Sequence, residues 1–152
     1  FKVLNMQAKF DKKGNLQADL ILRFDEFQKL FGYNAEREKK INTLFTITKS
    51  LAEFGCNEMY VVGSFVTNKQ QPNDIDVCFD ITSLDEKAFE SAHQELLNSD
   101  ALERIHELLK VHIIYYTSYD TEIVNWFRFD RDGNKRGIIK ISLKDIHGYD
   151  KE

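Results

Sequence analysis

The chain has 152 residues, of which 42% are hydrophobic and 12% aromatic, and its formal net charge at pH 7 is −4. This length suits a single globular domain with a buried core, and the absence of a long apolar run argues against a membrane-bound protein. The acidic balance argues against general DNA binding, so any contact with nucleic acid would have to use a local patch.

The first 24 residues predict an N-terminal arm or short strands. Residues 1–10 mix apolar and polar side chains and predict either a strand or an extended arm. Residues 11–15 contain the Gly-Asn pair of a turn, and Leu20 to Leu22 predict a short strand. We expect this region to be the beginning of one domain that extends over residues 1–152.

Two helices are expected next. Asp25 is placed to cap a short helix that ends at Gly32. Asn34 is placed to cap the longest helix of the chain, because the residues after it repeat an apolar stripe with helical spacing. Gly55 is expected to end this helix, which then leads directly into a strand.

The centre of the chain predicts a strand, a bend, a polar loop and a second strand. Residues 59–62 are an apolar, β-branched run, and Gly63-Ser64 follows where a backbone without Cβ can turn sharply. The loop ends after Pro72, and a short helix is expected to begin within residues 65–69. Residues 74–80 then alternate between polar and apolar side chains, as a strand with two different faces does.

This alternation places the carboxylates of Asp74 and Asp76 on one face of the strand. Residues i and i+2 of a strand are roughly 6.5–7 Å apart at Cα, so both side chains can converge on one hard cation. Oxygen ligands of this kind suit Mg²⁺ or Mn²⁺, with further oxygens from the phosphates of a nucleotide. The backbone N–H groups of Gly63 and Ser64 and the Ser64 hydroxyl are candidate phosphate donors. Lys69 is a further candidate for the phosphates or, alternatively, a solvated loop residue.

The C-terminal half predicts more helices and two more strands. Ser83 and Glu86 have the spacing of a capping box, and Asp100 is expected to cap the following helix. Residues 111–116 predict a third core strand. Residues 119–129 predict a short aromatic helix with Trp126 as a core anchor. We expect residues 128–152 to form a hairpin turn, a last strand at residues 137–143 and a tail. Its basic residues form either a binding stripe or a solvated face, and they are Arg128, Arg131, Lys135, Arg136, Lys140 and Lys144.

The sequence says less about two cysteines and two histidines elsewhere in the chain. Cys56 and Cys78 are too few for a disulfide framework and predict free thiols in a cytoplasmic protein. His93 and His106 lie on predicted helices without a partner at ligand spacing, so they are interpreted as surface or core-edge histidines.

Gly63-Ser64, nine intervening residues and the Asp74-x-Asp76 pair together resemble the signature of the DNA polymerase β-like nucleotidyltransferase superfamily. The likeness is greatest to small bacterial proteins of that superfamily and extends from about residue 25 to residue 143. Minimal nucleotidyltransferases of toxin–antitoxin pairs belong to the same superfamily.

The resemblance implies an α+β nucleotidyltransferase fold, with a mixed sheet of three to five strands packed against helices. It further implies Mg²⁺- or Mn²⁺-dependent transfer of a nucleoside monophosphate from a nucleoside triphosphate, such as ATP, to a hydroxyl of a protein or RNA acceptor. Asp74 and Asp76 would hold the metal, and Gly63, Ser64 and Lys69 would contact the nucleotide. An operon-encoded protein partner, in a toxin–antitoxin or defence setting, is also implied.

The chain departs from the family pattern at the third strand, where a histidine replaces the expected third carboxylate. His112 stands between Val111 and Ile113. It is either a neutral general base or metal ligand, or a partly buried structural residue. Asp120 or Glu122, just past this strand, is the alternative source of the missing carboxylate. The departure also favours a second interpretation, a catalytically weak or inactive subunit that acts as an antitoxin, sensor or binding partner.

Overall fold

The computed structural model describes residues 8–120 and 122–146. The first seven residues of the arm or strand expected at residues 1–10, and the end of the expected tail, residues 147–152, lie outside the described ranges. Within the described ranges, we find no helix with the length and apolar character needed to cross a membrane.

The described residues form one mixed sheet of five strands, in the order β1-β5-β2-β3-β4. Strand β2 is antiparallel to both of its neighbours, whereas β1 with β5 and β3 with β4 are parallel pairs. The five strands are β1 (Leu20–Leu22), β2 (Glu58–Val62), β3 (Ile75–Asp80), β4 (Val111–Tyr116) and β5 (Ile139–Ser142). The mixed sheet and the α+β class expected from the sequence are confirmed.

Five α-helices accompany the sheet in the described part of the chain. Two of them continue into a π-helical turn, at His93–Leu97 and at Ile105–Leu109. The α-helices are α1 (Phe24–Phe31), α2 (Ala35–Glu53), α3 (Glu86–Ala92), α4 (Ser99–Arg104) and α5 (Glu122–Trp126). Asn34 caps α2, as expected, because its side chain accepts a hydrogen bond from the N–H of Arg37.

The main core lies on the sheet face to which the odd-numbered residues of β3 point. Ile75, Val77 and Phe79 are fully buried there, together with apolar residues of α1, α2 and the neighbouring strands. This is the apolar side of the alternation that the sequence shows. The polar side of the same strand therefore faces away from the main core.

A smaller apolar cluster covers part of the opposite sheet face. It contains Val62, Cys78, Tyr116, Val124 and Ile138, so α5 packs over the middle of the sheet through Val124. The first residues of β3 and β4 lie beside this cluster on the same sheet face. The candidate site is located there.

Three helix caps expected from the sequence are wrong. Helix α1 begins at Phe24, and Asp25 lies inside its first turn. Asp85, not Ser83, caps α3, and the Ser83 hydroxyl instead donates to the carbonyl of Gly55. Asn98, not Asp100, caps α4 by accepting from the N–H of Ala101.

Trp126 is not a core anchor, because its side chain is 77% exposed. Helix α5 spans only Glu122–Trp126, shorter than the expected segment, and Val124 is its buried residue. In such a short helix one residue faces the sheet, and the aromatic side chain two positions later points outward.

Candidate functional site

A sharp bend at Gly63 forms one side of the site. Strand β2 ends at Val62, and the backbone of Gly63 has a φ of +76°. A Cβ atom built on Gly63 would lie 2.5 Å from Oδ2 of Asp76. The bend therefore needs glycine twice, once for its left-handed backbone and once for the space that the carboxylate occupies. The Gly-Ser bend and the acidic strand therefore lie directly against each other.

A short 3₁₀ helix, Gly63–Val66, continues from the bend. We expected a short helix to begin within residues 65–69, whereas the observed one begins at Gly63 and ends at Val66. Phe65 and Val66 are fully buried in the main core, while Ser64 is half-buried. The apolar pair anchors this turn, so the position of Ser64 beside β3 is fixed by core packing.

Arg37 of α2 holds the segment that follows the bend. It is fully buried, and its guanidinium donates to the backbone carbonyls of Phe31, Phe65, Thr67 and Lys69 at 2.8–3.1 Å. All of its donors thus have partners within the protein. Burial lowers the pKa of Arg37, with an opposing contribution from Tyr33. This arginine therefore ties the long helix to the loop that carries the candidate site.

The two acidic residues of the site each contact a histidine. Asp76 pairs in register with His112 of β4, and the two side chains meet at 2.9 Å between Oδ1 and Nδ1. Asp74 meets His106 at 3.0 Å between Oδ2 and Nε2. The two imidazole rings stack with centroids 4.6 Å apart and an interplanar angle of 13°. The four side chains form one cluster, which we call the Asp-His cluster.

His106 is the member of this cluster that the sequence did not indicate. It was interpreted as a surface or core-edge histidine, and its side chain is indeed 42% exposed, but it also contacts both Asp74 and His112. His106 lies on the π-helical turn before β4, where a widened helix turn places it over the first residues of the sheet. Its position depends on this turn, and no local sequence pattern specifies it. His93, by contrast, is exposed and contacts Phe89.

The second oxygens of the two carboxylates remain available for a ligand. Oδ1 of Asp74 and Oδ2 of Asp76 make no hydrogen bond to any residue that the structure describes. Across those same residues, no group of three or more His, Cys, Asp or Glu side chains is arranged to hold a metal ion. Two carboxylates nevertheless fit a Mg²⁺ ion that takes its other oxygens from substrate phosphates and water.

The remaining sequence candidates lie outside the Asp-His cluster. Lys69 is exposed, and its contacts are made by its backbone. Asp120 and Glu122 are exposed beyond the end of β4, and neither has a hydrogen bond or ion pair with the cluster among the described residues. Asp80 is the last residue of β3, and its side chain accepts hydrogen bonds from the backbone and hydroxyl of Thr82.

A cavity of about 430 Å³ opens beside Asp74 and His106. Helix α4 and the following turn form its other side, through Glu103, Glu107 and Lys110. The cavity gives the Asp-His cluster an open approach from outside the domain.

Comparison with known proteins identifies one family. A family model described as "Family of unknown function (DUF6932)" matches residues 8–142, which is most of the chain. No curated protein and no solved structure matches the chain.

Proposed function

The chain belongs to the DUF6932 family, and we propose that it is a metal-dependent nucleotidyltransferase. It would transfer a nucleoside monophosphate from a nucleoside triphosphate to a hydroxyl of a protein or RNA acceptor. The setting that we propose is the cytoplasm, where such triphosphates are present, with an operon-encoded partner in a toxin–antitoxin or defence pair.

The contact between Gly63 and Asp76 is the observation that supports this proposal most directly. A glycine bend and an acidic strand come together at one end of the sheet, with 2.5 Å between the carboxylate and the site of a Cβ on Gly63. The sequence resemblance requires the same two elements to face each other across one ligand. In our proposal, Gly63 and Ser64 contact the phosphates, and Lys69 approaches them from the exposed loop.

Asp74 and Asp76 are the proposed ligands of Mg²⁺ or Mn²⁺. Such a cation would neutralise phosphate charge and favour displacement of pyrophosphate. The carboxylate oxygens that do not contact histidine are the ones available to it. Each aspartate would then bind the cation and a histidine with different oxygens.

His112 takes the position of the third carboxylate in this proposal. Its Nδ1 contacts Asp76, while its Nε2 has no hydrogen-bond partner among residues 8–120 and 122–146. With the proton on Nδ1, Nε2 accepts a proton from the acceptor hydroxyl. Asp76 then orients the imidazole, as a carboxylate does for a general-base histidine in other enzymes. His106 stacks on the ring and restricts its rotation.

A transfer assay tests the proposed activity. Purified protein is incubated with Mg²⁺ or Mn²⁺, each α-³²P-labelled nucleoside triphosphate, and RNA or the proteins encoded beside it. We expect a labelled acceptor from the wild type and none from Asp76→Asn. Asp80→Asn is the matched control, because it removes a similar charge from the same strand at a residue whose carboxylate accepts hydrogen bonds from Thr82 rather than from the Asp-His cluster.

Full activity of Asp76→Asn, or the absence of any labelled acceptor with a folded wild-type protein, would contradict the proposed transfer. Chelation of the cation by EDTA should also abolish labelling, and renewed addition of Mn²⁺ should restore it.

A catalytically inactive binding subunit is the second candidate. The observation that favours it is the pairing of both carboxylates with histidines, together with the absence of a carboxylate at position 112. A subunit of this kind binds nucleoside triphosphate without releasing pyrophosphate and copurifies with its partner. Measuring pyrophosphate release in the same reactions separates the two candidates.

A further inference from the structure

Arg136 lies at the same end of the sheet as Gly63 and Asp76. Val61 pairs with Ile139 across β2 and β5, so the next rung brings Val62 beside Ile138. Val62 also pairs with Asp76 across β2 and β3. Arg136 precedes Ile138 by two residues, and Ser64 and Asp74 are likewise two residues away from this row along their own chain segments.

A buried asparagine holds Arg136 in place. Asn15 is only 2% exposed, and its side-chain oxygen accepts from Nε of Arg136 at 3.0 Å. Its amide nitrogen donates to Asp130 at 3.0 Å. Asn15 also forms a backbone bridge with Thr67, just after the 3₁₀ turn. Arg136 is thus tied to the segment that forms the glycine bend.

The charge of Arg136 is only partly balanced by the protein. Its side chain is half-buried, and its two terminal guanidinium nitrogens have no hydrogen-bond or ion-pair partner among the described residues. Burial lowers the pKa of Arg136, while the carboxylates of Asp130, Asp76 and Asp11 oppose this change. Arginine stays charged at neutral pH, so donors of a partly desolvated cation are left for a ligand.

Arg136 also borders a cavity of about 260 Å³ whose lining is rich in cations. Arg128 and Lys135 line it as well, and Asp19 is the acidic residue there. The carboxylate of Asp19 already contacts the guanidinium of Arg128 and the N–H of Ile138. The cavity therefore presents unneutralised positive charge.

We propose that Arg136 binds phosphate oxygens of the nucleoside triphosphate and sets the position of the triphosphate relative to Asp74 and Asp76. Asp76 and Arg136 interact electrostatically without forming an ion pair. A metal-chelated triphosphate satisfies both, because its cation suits the carboxylates and its phosphate oxygens suit the guanidinium fork. The identity of the ligand rests on the proposed function, whereas the binding of a phosphate chain can be tested separately.

Binding of inorganic tripolyphosphate in the presence of Mg²⁺, measured by isothermal titration calorimetry, tests this role without a transfer reaction. We expect Arg136→Gln to weaken binding by about tenfold or more, since a hydrogen bond between charged groups is lost. The affinity of Arg136→Lys should lie between those of the wild type and Arg136→Gln, because lysine keeps the charge but lacks the planar guanidinium. Arg131→Gln is the matched control, since Arg131 is an exposed residue of the nearby turn.

Thermal unfolding of each variant establishes that the protein is folded, and Arg136→Lys keeps the test valid should Arg136→Gln be unstable. Binding of tripolyphosphate by Arg136→Gln or by Arg136→Lys as tightly as by the wild type would overturn the inference. Equal weakening in Arg131→Gln, or no binding by the wild type, would overturn it as well. If transfer fails but tripolyphosphate binding depends on Arg136, the proposed activity is wrong and the phosphate role stands.

Discussion

Both the left-handed backbone of Gly63 and the neighbouring Asp76 carboxylate require that this residue has no side chain. Replacement by alanine places a Cβ in a left-handed backbone, at a cost of about 1–2 kcal/mol, and against the Asp76 carboxylate. Displacing that side chain adds about 1–3 kcal/mol of overpacking. We therefore predict that Gly63→Ala lowers the free energy of unfolding, measured in urea, and abolishes transfer.

Gly133→Ala provides the control for this substitution. Gly133 has a φ of +81°, almost the same as Gly63, but a Cβ there has no atom within 4 Å. It should show the backbone cost alone and keep full activity. Equal destabilisation of the two variants would show that the contact with Asp76 carries no energy.

Arg37 should be the most important single side chain for the stability of the loop that follows the bend. Arg37→Met removes the hydrogen bonds of the guanidinium to four carbonyls, of which those of Phe31 and Phe65 are buried while those of Thr67 and Lys69 keep the Tyr33 hydroxyl as a donor, so we predict a loss of about 3 kcal/mol in unfolding free energy. Lys39→Met, an exposed position on the same helix, should change it little. A small effect of Arg37→Met would mean that water replaces the guanidinium at low cost.

The placement of site residues could be predicted from the sequence where the partners are close along the chain. Asp74 and Asp76 lie at the start of one strand, and Gly63-Ser64 directly follows another, so their positions depend on local spacing. His106 and Arg136 are 32 and 60 residues from Asp74 and Asp76, respectively. Their positions depend on a π-helical turn and on the pairing of β2 with β5, neither of which has a local sequence signal.

At the scale of elements, strands were predicted more accurately than helix ends. Strand β4 has the expected bounds, because β-branched and aromatic residues, which favour strands, extend from Val111 to Tyr116 with a single histidine among them. Helix α4 begins after Asn98 although Asp100 is an equally good capping residue by type. The choice between them depends on where the preceding π-helical turn ends, which is a property of the packed chain.

This choice gives a direct prediction for α4. Asn98→Ala removes the cap on Ala101 and should lower the unfolding free energy by about 1 kcal/mol. Asp100→Ala should have a smaller effect, because Asp100 is exposed and lies within the first turn. Urea unfolding of both variants checks this, and a larger loss for Asp100→Ala would place the helix start at the position expected from the sequence.

At the scale of the whole molecule, the two buried thiols couple stability to alkaline pH. Burial raises the pKa of Cys56 and Cys78 from the ordinary value of 9.0 to about 12, and nearby carboxylates add to the effect. Below about pH 8 both thiols are almost entirely protonated in the folded and in the unfolded state. Between pH 9 and 12 the unfolded chain ionises first, so the folded state loses stability as pH rises.

We predict that the free energy of unfolding falls between about pH 8 and about pH 10. Each thiol contributes a slope of at most ~1.4 kcal/mol per pH unit, which it approaches above about pH 9. The Cys56→Ala, Cys78→Ala double variant should show a smaller decrease over the same interval. A residual slope is expected, because burial also raises the pKa of Tyr116. An unchanged slope in the double variant would contradict the thiol contribution.

The proposed function requires Asp74 and Asp76 to hold a divalent cation together with a triphosphate, beside Gly63. Electron paramagnetic resonance of Mn²⁺, titrated into the protein with a non-hydrolysable ATP analogue, measures this binding. We expect tight Mn²⁺ binding by the wild type and by Asp80→Asn, and much weaker binding by Asp76→Asn. Equal Mn²⁺ binding by all three proteins, or none by the wild type, would contradict it.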